Sequence, residues 1–240
     1  MFKSILATAA LVAASSALAS AASVTITDLS SDYSGTDITY TSSTGYITGS
    51  SLFSTVASGS DNYYTASTTL ILSVSALNSL TEDTALLIYE TAAGTTTNAI
   101  GLSVDVSGGA LTFYWAGTTV WTGATNISVT YATLDDDSDG YITVTFVGND
   151  PTDGTVLYDG EGNSLGSSSA LKARNVEYTT VYVNTDVVTA ISVTDGVATS
   201  DEVAEAGSDL NDAVVPEPSA FGLLAGIGAL ALVAARRRRR

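Results

Sequence analysis

Hydrophobic residues recur at every second position over much of this chain. Ile100, Leu102, Val104 and Val106 alternate with Gly101, Ser103 and Asp105, the clearest such run. Alternation of this kind turns one side of a strand to a core and the other to water. Ser107-Gly108-Gly109 turns the chain, and Leu111, Phe113 and Trp115 carry the next strand, so the pair reads as a hairpin with Trp115 on its core face. Leu70–Val74 alternates toward a buried face, and Ile127, Val129 and Tyr131 share another. Tyr141–Val147, Thr155–Tyr158, Val176–Val183 and Val187–Thr194 predict four more strands, separated by turns at Asp135–Gly140 and Asp159-Gly160. Regular spacing, frequent glycine turns and almost no helical period predict an all-β fold, an antiparallel β-sandwich. One helical signal interrupts. Thr199-Ser200-Asp201-Glu202 fits a capping box, with Val203–Ala206 behind it and Gly207 as a stop, which predicts a single short C-terminal helix.

The two ends have a different texture. Lys3 precedes an apolar region from Ile5 to Ala14, small residues follow, and Ala17-Leu18-Ala19 fits a signal-peptidase site, with Ala19-Ser20-Ala21 as an alternative. The mature chain is therefore expected to begin near Ser20–Ser23. At the other end Pro216-Glu217-Pro218 is stiff and incompatible with a helix. An uncharged apolar run, Ser219–Ala235, comes next and is at the lower limit for a membrane span. Arg236, Arg237, Arg238, Arg239 and Arg240 close the chain; guanidinium groups are costly to move through hydrocarbon and hold that end in the cytoplasm as a stop-transfer flank. Four regions result: a signal peptide (1–22), a β-sandwich domain (23–210), a linker with the Pro-Glu-Pro tripeptide (211–218), and a transmembrane anchor with its arginine tail (219–240).

The ordered set Val-Pro-Glu-Pro, Gly/Ala/Leu-rich span and terminal arginine run resembles a PEP-CTERM sorting signal. The resemblance implies a Gram-negative exporter of extracellular polysaccharide, in which an exosortase-type membrane protease/transpeptidase recognises the tripeptide and processes the protein near it. A plain single-pass anchor with a positive flank is the alternative reading of the same residues. Within the body, the succession of Tyr141–Val147, Val156–Gly160 and Ala190–Ala206 resembles laminin-G-like or concanavalin A-like jelly rolls, where the last strand often leads into a short acidic helix. That resemblance implies a jelly-roll topology from about Leu70 to Ala206.

Charge sharpens the picture of the body. Of 8 basic residues, only Lys172 and Arg174 lie between the two end signals, against all 25 acidic ones. Counted through Glu217, two against 25 gives the exported part a formal charge of −23. Such a surface repels nucleic acid and anionic headgroups and suits divalent cations and neutral or cationic partners. The chain has no cysteine and no histidine, which excludes a disulfide framework, thiol chemistry and the ordinary forms of zinc and Ser-His-Asp hydrolases. No Glu-x-Asp-x-Glu triplet of the kind used by glucanases of the concanavalin A-like group is present, and Glu90, Glu161 and Glu177 stand apart, so an enzyme is not expected.

Two features remain as candidate chemistry. Asp135, Asp137 and Asp139 at alternate positions before Gly140 match the first half of a calcium loop, although Phe146 occupies the position of the bidentate glutamate. Calcium is the one candidate cofactor, and an acidic solvated turn is the alternative. Trp121, beyond a turn from Trp115, is the candidate ring for stacking on a sugar. Lys172 and Arg174 are expected to pair with surface carboxylates. The expected role is that of an exported, envelope-associated structural or adhesive component of the cell surface or polysaccharide matrix. A lectin-like glycan-binding module is the second reading, and an unrecognised glycoside hydrolase the third. Partners follow from these readings: export machinery, an exosortase-type enzyme, the membrane through the C-terminal helix, and polysaccharide.

Overall fold

The computed structural model describes residues 23–49, 52–115, 118–121, 129–131, 134 and 140–214, with the backbone alone at 23, 114–115 and 118–121. In chain order the first strands are β1 (Ser23–Ile26), β2 (Tyr33–Ser34), β3 (Ile38–Thr41), β4 (Tyr46–Gly49), β5 (Ser54–Ser58) and β6 (Asp61–Ser73). Helix α1 (Val74–Ser79) follows, then β7 (Thr84–Glu90), β8 (Ile100–Asp105), β9 (Ala110–Trp115), β10 (Thr118–Trp121) and β11 (Val129–Thr130). The last elements are β12 (Tyr141–Asp150), β13 (Gly154–Asp159), β14 (Ser164–Ser168), β15 (Thr180–Val183), β16 (Val188–Asp195) and helix α2 (Ser200–Val214).

These strands form two antiparallel sheets, a jelly-roll β-sandwich of the expected class. Sheet A has 7 strands in the order β1-β16-β6-β12-β13-β14, with β5 paired to the first half of β6. Sheet B has 9, in the order β10-β9-β8-β7-β15-β4-β3-β2, with β11 added beside β9. Residues opposite one another in register share a sheet face. Leu70 therefore lies between Val144 and Ile191, and Leu72 beside Ile142, all on the inner face of sheet A. Sheet B answers with Leu87, Tyr89, Leu102, Val104, Leu111, Phe113, Val181 and Ile47.

With Tyr40 and Tyr178, Tyr89 is one of three fully buried tyrosines among the described residues of this core. Its hydroxyl crosses from sheet B to sheet A, donating to the Ala66 carbonyl at 2.8 Å, with the Thr68 hydroxyl 2.8 Å away. Its ring packs edge-on against Phe53 and Phe146 at 5.2 and 5.4 Å between centroids. Burial pushes the phenol well above its usual range, so it stays neutral and keeps its proton for Ala66.

Several elements differ from the sequence reading. The strands of the first third escaped it because most are four or five residues long and rich in Thr and Ser, too short to show a period. Val176–Val183 is a strand only from Thr180; Tyr178 is instead buried in the core with its hydroxyl on the Asn98 carbonyl at 3.0 Å. Helix α1 was also unforeseen: Ser73 caps it by accepting from the Ala76 amide, and it carries Leu77 into the core.

Helix α2 begins at the expected capping box, with Glu202 accepting from the Thr199 amide and hydroxyl at 2.8 and 2.9 Å. These bonds hold the Glu202 carboxyl below its usual range. Gly207 does not stop the helix, which runs on to Val214. A Cβ at position 207 would stand 2.7 Å from the Gly160 carbonyl oxygen, so glycine is there to admit the β13–β14 turn against the helix. Val203, Gly207 and Leu210 form the buried stripe, and Leu210 packs on Ile71 and Ala190 of the outer face of sheet A.

Tyr89→Phe keeps the ring and removes the cross-sheet hydroxyl, leaving Thr68 and Ala66 without that partner. Denaturant unfolding should show a loss of about 1–3 kcal/mol. Wild-type stability in this variant would mean that the hydroxyl does not tie the sheets together.

Candidate functional site

The outer faces of the two sheets are treated differently. Helix α2 lies across that of sheet A, whereas that of sheet B carries its own side chains outward. The register defines this second face. Tyr89, Val181 and Ile47 point into the core, so their neighbours Glu90, Thr180 and Thr48 point out, as do Ile88, Tyr182 and Tyr46. Tyr46 and Tyr182 are half-buried, with ring centroids 5.5 Å apart and planes tilted by 58°. Two adjoining rings with part of each exposed form a partly apolar surface.

Glu90 stands beside this pair at 2% exposure, the only fully buried charged residue among the described residues. Its Oε2 accepts from the Gly94 amide at 2.8 Å, and the Tyr46 hydroxyl also bonds to the carboxyl group. Burial pushes Glu90 above the usual carboxylate range, against the pull of those two hydrogen bonds. Burial also raises the phenols of Tyr46 and Tyr182, with smaller contributions from the charge of Glu90. Segment 91–99 is tied down around this carboxyl group. Thr179 donates to the Thr91 carbonyl at 2.8 Å, and Ala99 is buried with Ile88 beside Tyr182. Glu90 thus fixes the ring of Tyr46 and the adjoining segment.

Five other acidic side chains hold turns or strand ends. Asp28 accepts from the Ser30 amide and hydroxyl and from Ser31, Asp32 from Ser42, and Asp105 from Ser107 and the Gly108 amide. These bonds hold all three carboxyl groups below their usual range. Asp150 and Asp159 accept backbone amides in the turns at either end of β13. These five carboxylates are therefore engaged in local loop structure. Arg174 pairs with Asp61 at 3.3 Å, as expected, whereas Lys172 donates to the Pro151 carbonyl at 2.9 Å instead of meeting a carboxylate.

The sequence-based candidates fall largely outside the described residues. Asp135, Asp137 and Asp139 lie outside the described residues, between Leu134 and Gly140. No group of three or more acidic residues that could hold a metal occurs among the described residues. Trp121 ends β10, opposite Phe113 in register, and its side chain is outside the described residues. Residues 1–22, where a signal peptide is expected, Pro216, Glu217, Pro218, residues 219–235 and Arg236–Arg240 are outside them as well. Among the described residues no helix is long and apolar enough to cross a membrane.

For the tail, comparison with known families is decisive. Residues 214–240 match the PEP-CTERM protein-sorting motif. This motif indicates export and sorting to the cell surface, and its match begins at the last residue of α2. No curated protein matches the chain. Among solved structures, the binding domain of botulinum neurotoxin serotype D is similar at 10% identity and a TM-score of 0.45, over 78% of this chain and 46% of that one. The CBM40 of the Ruminococcus gnavus IT-sialidase bound to α2,3-sialyllactose is similar at 11% identity and a TM-score of 0.39, over 60% of this chain and 83% of that one. The chain spans less than half the length of the toxin binding domains it matches.

The raised Glu90 carboxyl has a definite pH signature. Folding favours its protonated form, so its contribution is fully present below the unfolded value near 4.5 and is lost as pH rises through the folded value. Glu90→Gln is neutral at every pH. Its melting temperature relative to wild type should therefore rise between about pH 4 and about pH 7. A difference that is flat or falls over that span would contradict this electrostatic reading.

Proposed function

We propose that this is an exported bacterial surface protein, without enzymatic activity, that serves as a structural or adhesive component of the envelope and its polysaccharide matrix. The sorting motif at 214–240 carries this reading, since it implies delivery to an exosortase-type enzyme and at least transient membrane attachment through the tail. The body suits such a role. It is cysteine-free and strongly acidic, and Asp28, Asp105, Asp150 and Asp159 are engaged in tight turns. Its one fully buried carboxylate among the described residues is held by Tyr46 and Gly94, as a positioning group would be.

A second reading, glycan binding, is favoured by one observation: the half-exposed Tyr46–Tyr182 pair on the outer face of sheet B. Adhesion to polysaccharide through that face would unite the two readings. The sugar would stack on the rings, and the buried carboxylate would keep them in place.

The absence of cysteine allows a single-probe test. Ser60→Cys places one thiol in the exposed β5–β6 turn. A membrane-impermeant maleimide should label it in intact cells; labelling only after lysis would contradict export. The same protein, purified, can then be tested for retention on the exopolysaccharide of the producing cells. Tyr182→Ala should reduce retention several-fold if the tyrosine face is the adhesive surface, and unchanged retention would reject that surface.

A further inference from the structure

A cavity of about 260 Å³ lies between α2 and the outer face of sheet A. Its floor is made of strand hydroxyls from Ser67, Thr69 and Thr145, all buried. Thr69 and Thr145 bond one another at 2.8 Å. Ser67 donates to the Gly196 carbonyl and accepts from the Ala198 amide, each at 2.8 Å. One side is Asp195, whose Oδ1 is buried and has no hydrogen-bond partner. Glu202 stands at the rim, and Val197, Val203 and Ala206 give an apolar wall. Among the described residues no lysine or arginine borders the space.

This chemistry narrows the occupant. A carboxylate oxygen out of water with no donor costs about 1–3 kcal/mol or more, so a bound donor is strongly favoured there. Two carboxylates without a cation exclude an anionic ligand. The volume is room for about nine waters at ~30 Å³ each, close to the small end of ligand pockets and far larger than one ion needs. A hard cation would also need six to eight oxygens, by the usual count, and here one wall is hydrocarbon. A ring with hydroxyls at its edge and C–H groups on its face meets every requirement.

We propose that this cavity binds a single pyranose-sized polyol, with a hydroxyl or ammonium group donating to Asp195 Oδ1 and a C–H face against Val203 and Ala206. The site is separate from the tyrosine face of sheet B and does not depend on it. Its enclosure between helix and sheet suits a monosaccharide or the end residue of a glycan.

Calorimetric titration of the full chain with glucose, galactose and glucosamine tests this. At least one should bind saturably with a Kd below about 10 mM. Asp195→Ala should weaken that binding at least tenfold and, by removing an unpartnered buried oxygen, should melt no lower than wild type. Ala206→Leu, which fills the cavity from the helix, should abolish binding, while Ser60→Ala in the exposed β5–β6 turn should leave it unchanged; Tyr182→Ala, titrated alongside, reports any binding at the tyrosine face. A preference for glucosamine would assign the donor as ammonium, and equal affinity for glucose would assign a hydroxyl. Failure of all three sugars, binding that survives both cavity variants, or binding lost only in Tyr182→Ala would overturn the proposal.

Discussion

The hydroxyl of Tyr89 is the constraint around which the sandwich is arranged. A phenol buried between two sheets must find its partners there, and it finds them on the opposite sheet, at Ala66 and Thr68. This pins β7 of sheet B over β6 of sheet A. Because successive strand residues alternate in direction, the inward Tyr89 obliges Glu90 and Ile88 to face outward. Glu90 then meets Tyr46, brought beside it by the register of β15 and β4. The candidate binding face is thus a consequence of the core contact one residue away.

Helix α2 makes the two outer faces unequal. Its stripe of Val203, Gly207 and Leu210 lies over sheet A, and Gly207 allows it to close against the Gly160 turn. The buried surface beneath is unusual in being mostly Thr and Ser, so the helix roofs a polar cavity over part of its length and an apolar contact around Ile71 over the rest. The same helix leads directly into the sorting motif. One element therefore completes the fold, encloses the cavity and delivers the chain to the segment that determines its destination.

The parts legible in the sequence were those with local, repeated signals. Ile100–Trp115 showed its hairpin because inward and outward residues alternate over two strands, and the Thr199–Glu202 capping box marked the start of α2 correctly. Other signals were ambiguous without the tertiary partner. Gly207 looked like a helix end, but its reason is the Gly160 carbonyl, far away in sequence. Glu90 looked isolated because Tyr46 and Tyr182 lie 44 residues before it and 92 after it, and only sheet pairing joins them. Asp195 carries no local signal in the sequence; its neighbours take its Oδ1, though not the whole side chain, out of solvent. The tail was readable for the opposite reason: its information is in linear order, and no folding is needed to see it.

We propose that both ends of the chain are addresses and that the acidic β-sandwich between them works outside the cell. Intact-mass and terminal-peptide mass spectrometry of the native protein tests this most directly. The account predicts a surface form that begins near Ser20–Ser23 and ends near Pro216–Pro218. A native protein freely dissolved in the cytosol, retaining both Met1 and Arg240, would contradict it.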